Sequence, residues 1–400
     1  MPGEQVRRLQ SGFAIRSSWT VRTVRTVRTA RTMAVPTALV AAAALFASCS
    51  SSPSTSATST STTASTHHAA TTTTGPSTTL PPPATTGPLT PGAPIALPFA
   101  ADRVTAAESP DGAVFAAPQD PTNPSPAIAW VIDGNGPAAI AEHVATGIAA
   151  LAADANNFYA ATYSTVYSYD RASGNQNGQW NMPKVNAANS SDADLVALAT
   201  GGGNLYVSVT QGNTTSVYRI TPTSSAAPHL VVRGLGDAIG SDGTIYYERT
   251  DHHLVALSPG GKTTVGPALA DAPNGEGGGV QYVEVVAAGA VWVSEPAGQG
   301  LDAAYTTFDT QTLARVGQYS GSVTSSVVDS ASGPLVLQPS AAGPACAGAQ
   351  PPAACVLRID QHGTTSDPVT VGAAVTLIGP QPAVIVSDTT TGQFDLVRLS

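Results

Sequence analysis

The stretch Gly203-Asn204-Leu205-Tyr206-Val207-Ser208-Val209 decides how this chain reads. A turn-forming pair is followed at once by two large residues and then by apolar–polar alternation. Gly and Asn tolerate the left-handed backbone of a tight turn, and a period of two is the mark of a β-strand. The pattern occurs seven times, at intervals of 40 to 49 residues, with anchors at Val114-Phe115, Phe158-Tyr159, Leu205-Tyr206, Ile245-Tyr246, Val291-Trp292, Leu335-Val336 and Val384-Ile385. Asp111-Gly112, Asn156-Asn157 and Asp242-Gly243 make similar turns before three of the others. Self-similarity at a fixed period marks a repeat architecture, and 40 to 49 residues is what one four-stranded antiparallel unit requires.

Working outward, residues 95–400 break into strands of four to seven residues separated by Gly, Asn, Asp, Ser and Pro. Val and Thr are abundant, which favours strands. No segment carries a long 3.6-residue apolar stripe with caps, and the nearest helical candidate, residues 137–143, is too short to stand alone. The expected fold is all-β: a seven-bladed β-propeller, with six or eight blades also compatible with the spacing. Residues 95–400 resemble the β-propeller superfamily, most of all its NHL-, YVTN- and quinoprotein-like bacterial members. The repeat is degenerate, so the resemblance implies a fold and not an activity.

The seventh repeat has three strands by Ser400, whereas an apolar segment, Ile95–Ala100 (IALPFA), precedes the first. Pairing that segment with the last blade would supply a fourth strand and close the ring, removing open sheet edges. Pro98 is tolerable on an outer strand, where one N–H side is free.

The start of the chain reads as an export signal. Seven arginines precede residues 33–47 (MAVPTALVAAAALFA), an apolar run of 15 residues. That is short for a spanning helix, which needs about 20, and normal for a signal core. Leu45-Phe46-Ala47-Ser48-Cys49 resembles the bacterial lipobox, with Phe46 where Leu is usual. It implies acylation of Cys49 after cleavage, the alternative being ordinary cleavage near Ala47 and a secreted product. Met1 and Met33 both compete as initiator, and a start at Met33 leaves almost no basic region. Residues 1–48 are thus read as signal peptide and 49–94 as tether. The tether is almost entirely Ser, Thr, Pro, Ala and Gly, too apolar-poor to offset chain entropy and hence expected to be disordered. It resembles the Ser/Thr/Pro linkers of actinobacterial surface lipoproteins, and at its length a flexible chain spans roughly 35–40 Å.

Cysteine use agrees with an extracytoplasmic location. With Cys49 set aside, Cys346 and Cys355 remain, in CAGAQPPAAC. An even pair fits a disulfide in an oxidising compartment, adding about 2–3 kcal/mol by loop closure. The formal charge is −9 and falls to −15 without the first 48 residues, which hold seven Arg and one Glu. Ten unclustered basic residues in an acidic chain argue against nucleic acid as a partner and against electrostatic docking on anionic lipid.

Chemistry-bearing patterns are sparse. The chain has no G-x-S-x-G elbow, no H-E-x-x-H and no P-loop. His143, His229 and His362 stand alone, and Asp251-His252-His253 reads as a hairpin tip, because adjacent strand residues point to opposite faces. Trp130, Trp180 and Trp292 fall in three repeats only, which does not match a quinone-binding propeller. Tyr159, Tyr163, Tyr167 and Tyr169 read mainly as core, with an exposed aromatic patch as the alternative. Propellers bind at the channel mouth, so Glu108, Asp154, Asp237, Glu284 and Asp329 are the candidate channel carboxylates. Converging, they would hold Ca²⁺ or another divalent ion as in lactonase-type propellers, where the metal activates water or a carbonyl. Scattered, they are turn and channel-lining groups that need no cofactor. Two functions follow. The first is a lipid-anchored binding or scaffold propeller outside the cytoplasm, holding an envelope protein, peptide or glycan. The second is a metal-dependent lactonase or hydrolase of the envelope. The absence of a catalytic signature favours the first and leans against an enzyme.

Overall fold

The computed structural model describes residues 88–400, apart from 101–102, 120–126, 135, 146, 184–194, 212–213, 270–281, 296–301, 323–325, 331–332, 340–352 and 389–390. The proposed signal peptide, Cys49, most of the tether and Cys346 lie outside the described residues. Among those described there is no helix; the strands form seven four-stranded antiparallel sheets. Blade 1 is β2 (Val104–Glu108), β3 (Val114–Pro118), β4 (Ala127–Asp133) and β5 (Gly136–Val144), and blade 2 is β6 (Ala150–Ala153), β7 (Asn157–Ala161), β8 (Thr165–Asp170) and β9 (Gln176–Asn181). Blade 3 is β10 (Leu195–Gly201), β11 (Asn204–Gln211), β12 (Thr214–Ile220) and β13 (His229–Gly234). Blade 4 is β14 (Asp237–Ile239), β15 (Ile245–Glu248), β16 (His253–Leu257) and β17 (Thr263–Ala268). Blade 5 is β18 (Tyr282–Ala287), β19 (Ala290–Glu295), β20 (Asp302–Asp309) and β21 (Arg315–Ser322). Blade 6 is β22 (Ser326–Val328), β23 (Leu335–Pro339), β24 (Ala354–Arg358) and β25 (Val369–Thr370). Blade 7 is β26 (Ala374–Ile378), β27 (Ala383–Asp388), β28 (Gln393–Arg398) and, on its outer side, β1 (Ile95–Ala100).

The first strand of each blade is innermost. These strands touch in the order β2, β6, β10, β14, β18, β22, β26, and β26 returns to β2. The chain is therefore a seven-bladed β-propeller. Ring closure is made by β1, which runs antiparallel to β28 through Ile95 opposite Leu396 and Ala100 opposite Gln393. A further bridge joins Pro91 to Leu399. Residues 137–143, the weak helical candidate, lie within β5.

The anchor pairs have a simple physical origin. Successive strand residues point to opposite faces, and in a propeller both faces of a blade pack against neighbouring blades. Two consecutive large residues are thus both buried. Phe158 packs with Phe115 of blade 1, their rings stacked at 5.3 Å, whereas Tyr159 packs with Leu205 and Val207 of blade 3. Leu205 faces blade 2 and Tyr206 faces Ile245 of blade 4. Tyr246 then meets Val291 and Phe308 of blade 5, and Trp292 meets Val336 and Leu357 of blade 6. The sixth anchor is one residue out of phase. Leu335 packs toward blade 7 and Val336 toward blade 5, so the equivalent pair is Val336-Leu337. The turn between paired Val328 and Leu335 is one residue longer than those closing β2–β3 and β14–β15. One extra residue exchanges the two faces of a strand.

The turns before the anchors are also accounted for. Gly112 and Gly243 take φ of 90° and 84°, where a Cβ is disfavoured. Asp242 Oδ1 accepts the Thr244 N–H at 2.9 Å, and Asp154 Oδ1 accepts those of Asn156 and Asn157 at 2.8 and 2.7 Å. These are Asx-type turns that satisfy backbone donors locally.

Candidate functional site

All five candidate carboxylates sit on or just beyond an innermost strand, as expected, but at two different ends. Glu108 is the last residue of β2, while Asp154 and Asp329 immediately follow β6 and β22. Asp237 opens β14, and Glu284 is near the start of β18. The innermost strands occupy equivalent places in successive blades and run in the same sense around the ring. The first three therefore belong to one rim and the other two to the opposite rim. Among the described residues no group of three or more His, Cys, Asp or Glu side chains is placed to hold a metal ion.

Each carboxylate instead has a local or inter-blade bond. Asp154 also accepts the Tyr159 hydroxyl at 2.6 Å; burial of the phenol, and then this bond, push it far above its ordinary range. Asp237 accepts the Ser208 hydroxyl at 2.6 Å, tying blade 4 to blade 3, and Glu284 accepts that of Ser294 at 2.8 Å within blade 5. Asp329 accepts the Ala288 N–H at 3.1 Å, joining blade 6 to blade 5. Water reaches Asp329, but the protein crowding around it raises its carboxyl pKa.

Glu108 is the most committed of the five. Its buried carboxylate receives Arg398 Nη1 at 2.7 Å and the Gln381 N–H at 2.8 Å, both from blade 7. Arg398 Nη2 also donates to Gly112 O at 2.5 Å. The ring is thus fastened a second time, by charge, beside the β1–β28 pairing. Desolvation still outweighs Arg398, so the Glu108 pKa is raised from its ordinary 4.5. A raised carboxyl binds its proton more tightly in the folded state, so this group's contribution to stability is present below pH 4.5. It declines as pH rises through the raised value. Glu108→Ala, which strands Arg398, is expected to cost about 2–4 kcal/mol in chemical denaturation at neutral pH. Glu108→Gln removes the desolvated charge but keeps one oxygen, so it serves one of the two donors and sets its NH2 against the other; its expected cost is smaller, about 1–2 kcal/mol. Equal losses would show that the charge itself closes the ring.

The remaining sequence candidates separate. Tyr159 and Tyr169 are buried, Tyr167 packs partly against the blade 1–blade 2 core, and Tyr163 alone of the four is exposed, so they form no common patch. Asp251-His252-His253 is a hairpin tip between β15 and β16, with His252 at φ 63° and its Nδ1 2.7 Å from Glu248 Oε1. Cys355 is buried on β24.

A cavity of about 200 Å³ opens instead between blades 3 and 4. Tyr206, Val231, Ile245 and Leu257 form its apolar floor, and Arg219 and His229 its basic side, with the β16–β17 turn at Ser258 to Gly261 as the far wall. Tyr206 is fixed by its hydroxyl, which donates to Gly243 O across the junction at 3.1 Å. This junction has the smallest buried apolar core of the seven among the described residues. Among the described residues only Tyr206, Val217 and Ile245 are fully buried in its core, against eight or more at each of the others. Val231, Val232, Tyr247 and Leu257 remain partly exposed there. Val265 of β17, 50% exposed, pairs with Val255 and so lies on the same face as Leu257, toward this cleft. His229 is isolated in sequence, but a register shift on β13 sets it opposite Arg219 of β12. Only strand pairing reveals that neighbourhood.

No protein-family model matches this sequence, and no curated protein matches it. Solved structures do match in fold. The β-propeller domain of Cps50 (Swd1) from Myceliophteria thermophila aligns over 75% of this chain and 98% of its own, with a TM-score of 0.50 and 10% identity. Hsv2 from Kluyvelomyces marxianus aligns over 74% and 96%, with a TM-score of 0.43 and 10% identity. The WD40 domain of SCAP from fission yeast aligns over 77% and 96%, with a TM-score of 0.37 and 11% identity. At such identities the likeness to the first of these is one of fold, and the chain joins the β-propellers on architecture.

Proposed function

We propose that the protein is a partner-binding propeller outside the cytoplasm, of the bacterial NHL/YVTN-like type, held to the membrane by a lipid on Cys49 and set off from it by the Ser/Thr/Pro tether. Its partner is an envelope protein, peptide or glycan, and the Cys346–Cys355 pair forms a disulfide in that oxidising compartment. The observation that carries the binding reading is the cavity between blades 3 and 4, lined by partly exposed apolar residues and by Arg219 and His229. Partly exposed apolar surface beside a few placed polar groups is what recognition sites have in common. A metal-dependent lactonase or hydrolase needs oxygen ligands converging on one ion. The five carboxylates are divided between two rims and bonded to neighbours, so no observation favours that reading.

The anchor is tested by Cys49→Ala. Wild-type protein is expected in the membrane fraction and labelled by radioactive palmitate in growing cells. The variant should lose the label and appear in the soluble or secreted fraction. Unchanged fractionation of the variant would refute the anchor.

A further inference from the structure

We propose that the cleft between blades 3 and 4 takes the C-terminal end of a partner polypeptide, its last apolar side chain on the Val231–Ile245–Leu257 floor and its terminal carboxylate on Arg219. The inference rests on the partner-binding reading above and supplies the chemistry of the partner.

Three observations converge on that occupant. The first is size. At about 200 Å³ the cavity is smaller than the roughly 300–1,000 Å³ pockets that enclose whole small ligands. It has room for one large apolar side chain and a carboxylate. The second is charge. The side chains lining it that can carry positive charge are Arg219 and His229, and no Asp or Glu lines it, in a chain whose formal charge is −9. Asp242, which follows the β14 end of this junction, is engaged by the Thr244 N–H and hydroxyl at 2.9 and 2.8 Å. Arg219 makes no ion pair with any described residue, unlike Arg171, Arg249 and Arg398. A guanidinium over an apolar floor matches a carboxylate attached to an apolar group, because its planar fork accepts both oxygens. The third is backbone. β13 is the outermost strand of blade 3, bonded to β12 on one side and without a strand partner on the other among the described residues. His229 is its first residue. An extended chain added antiparallel to that edge, as in strand addition, would end at His229, the residue that β13 sets opposite Arg219.

The test uses the full chain in fluorescence anisotropy. The probes are labelled Gly-Ser-Gly-Ser-X peptides with X = Leu, Ile, Val, Phe or Tyr, each as the free acid and as the C-terminal amide. At least one free acid should bind in the micromolar range, with its amide roughly tenfold or more weaker. Arg219→Gln should weaken the free acid by about the same factor, bring acid and amide together, and leave the melting temperature unchanged. The site is overturned if no free acid binds, if acid and amide bind alike, or if Arg219→Gln changes nothing. Binding that survives Arg219→Gln would retain a partner-binding propeller and move the site elsewhere. Equal displacement of acid and amide by inorganic phosphate would make the cleft a general anion site and sink the proposal. None of these outcomes depends on Cys49, so failure here and failure of the anchor are separable.

Discussion

Trp292→Ala is expected to lower the unfolding free energy by about 3–5 kcal/mol, measured by chemical denaturation. Trp292 is fully buried on β19, between blades 5 and 6. Its ring meets Tyr305 edge-on at 6.3 Å and packs against Val336 and Leu357 of the next blade, and its Nε1 donates to Ala287 O at 3.3 Å. Truncation removes the transfer free energy of an indole and leaves a cavity. Blades 5 and 6 cannot close that cavity by moving together, because each is also packed against its other neighbour. Trp130, half-buried on β4, is the internal control, and Trp130→Ala should cost about 1–2 kcal/mol. Similar losses at the two positions would mean that the blade 5–blade 6 junction relaxes freely, and the argument from ring rigidity would fail.

Leu97→Ala is expected to cost about 2–4 kcal/mol through loss of ring closure. Leu97 is 2% exposed on β1 and packs with Val114 of blade 1 and with Ile385, Phe394 and Leu396 of blade 7. It is therefore wedged where the first and last blades meet, on the strand that, among the described residues, joins blade 7 from the N-terminal side. Ala96, its exposed neighbour on the opposite face, gives the control: Ala96→Ser should change stability by less than about 0.5 kcal/mol. A loss at Leu97 no greater than at Ala96 would show that the Glu108–Arg398 bond, rather than β1, holds the ends together. The more informative readout is limited proteolysis, where Leu97→Ala should expose the first and last blades before the middle ones.

Much of this architecture was legible in the residues. The turn pair followed by two large residues pointed to seven repeats of a four-stranded unit, because a propeller buries both faces of each strand and so leaves a double signature in one dimension. The closing role of IALPFA was legible for the same reason, since an unpaired apolar segment and a three-stranded last repeat each lack what the other offers. What misled was phase. The sixth anchor, Leu335-Val336, has the right composition but the wrong register, and a turn one residue longer exchanges its faces without any visible change in pattern.

The site was far less legible. Glu108, Asp154, Asp237, Glu284 and Asp329 were found in sequence at innermost strands, and that placement is correct. Their convergence was not derivable, because it depends on which end of a strand each occupies and on what sits across the junction. Arg398 is 290 residues from Glu108, and no local spacing announces that bond. The cleft was invisible for the same reason, since Arg219 and His229 become neighbours only through a strand register interrupted by a bulge.

The sequence by itself determined an all-β repeat, its period and its closing strand, because each is written in local pattern and composition. Only the tertiary structure decided which carboxylates are fasteners and which blade junction holds the cavity. Those properties belong to side chains brought together across blades by closure of the ring, and closure is a long-range event that local pattern does not encode.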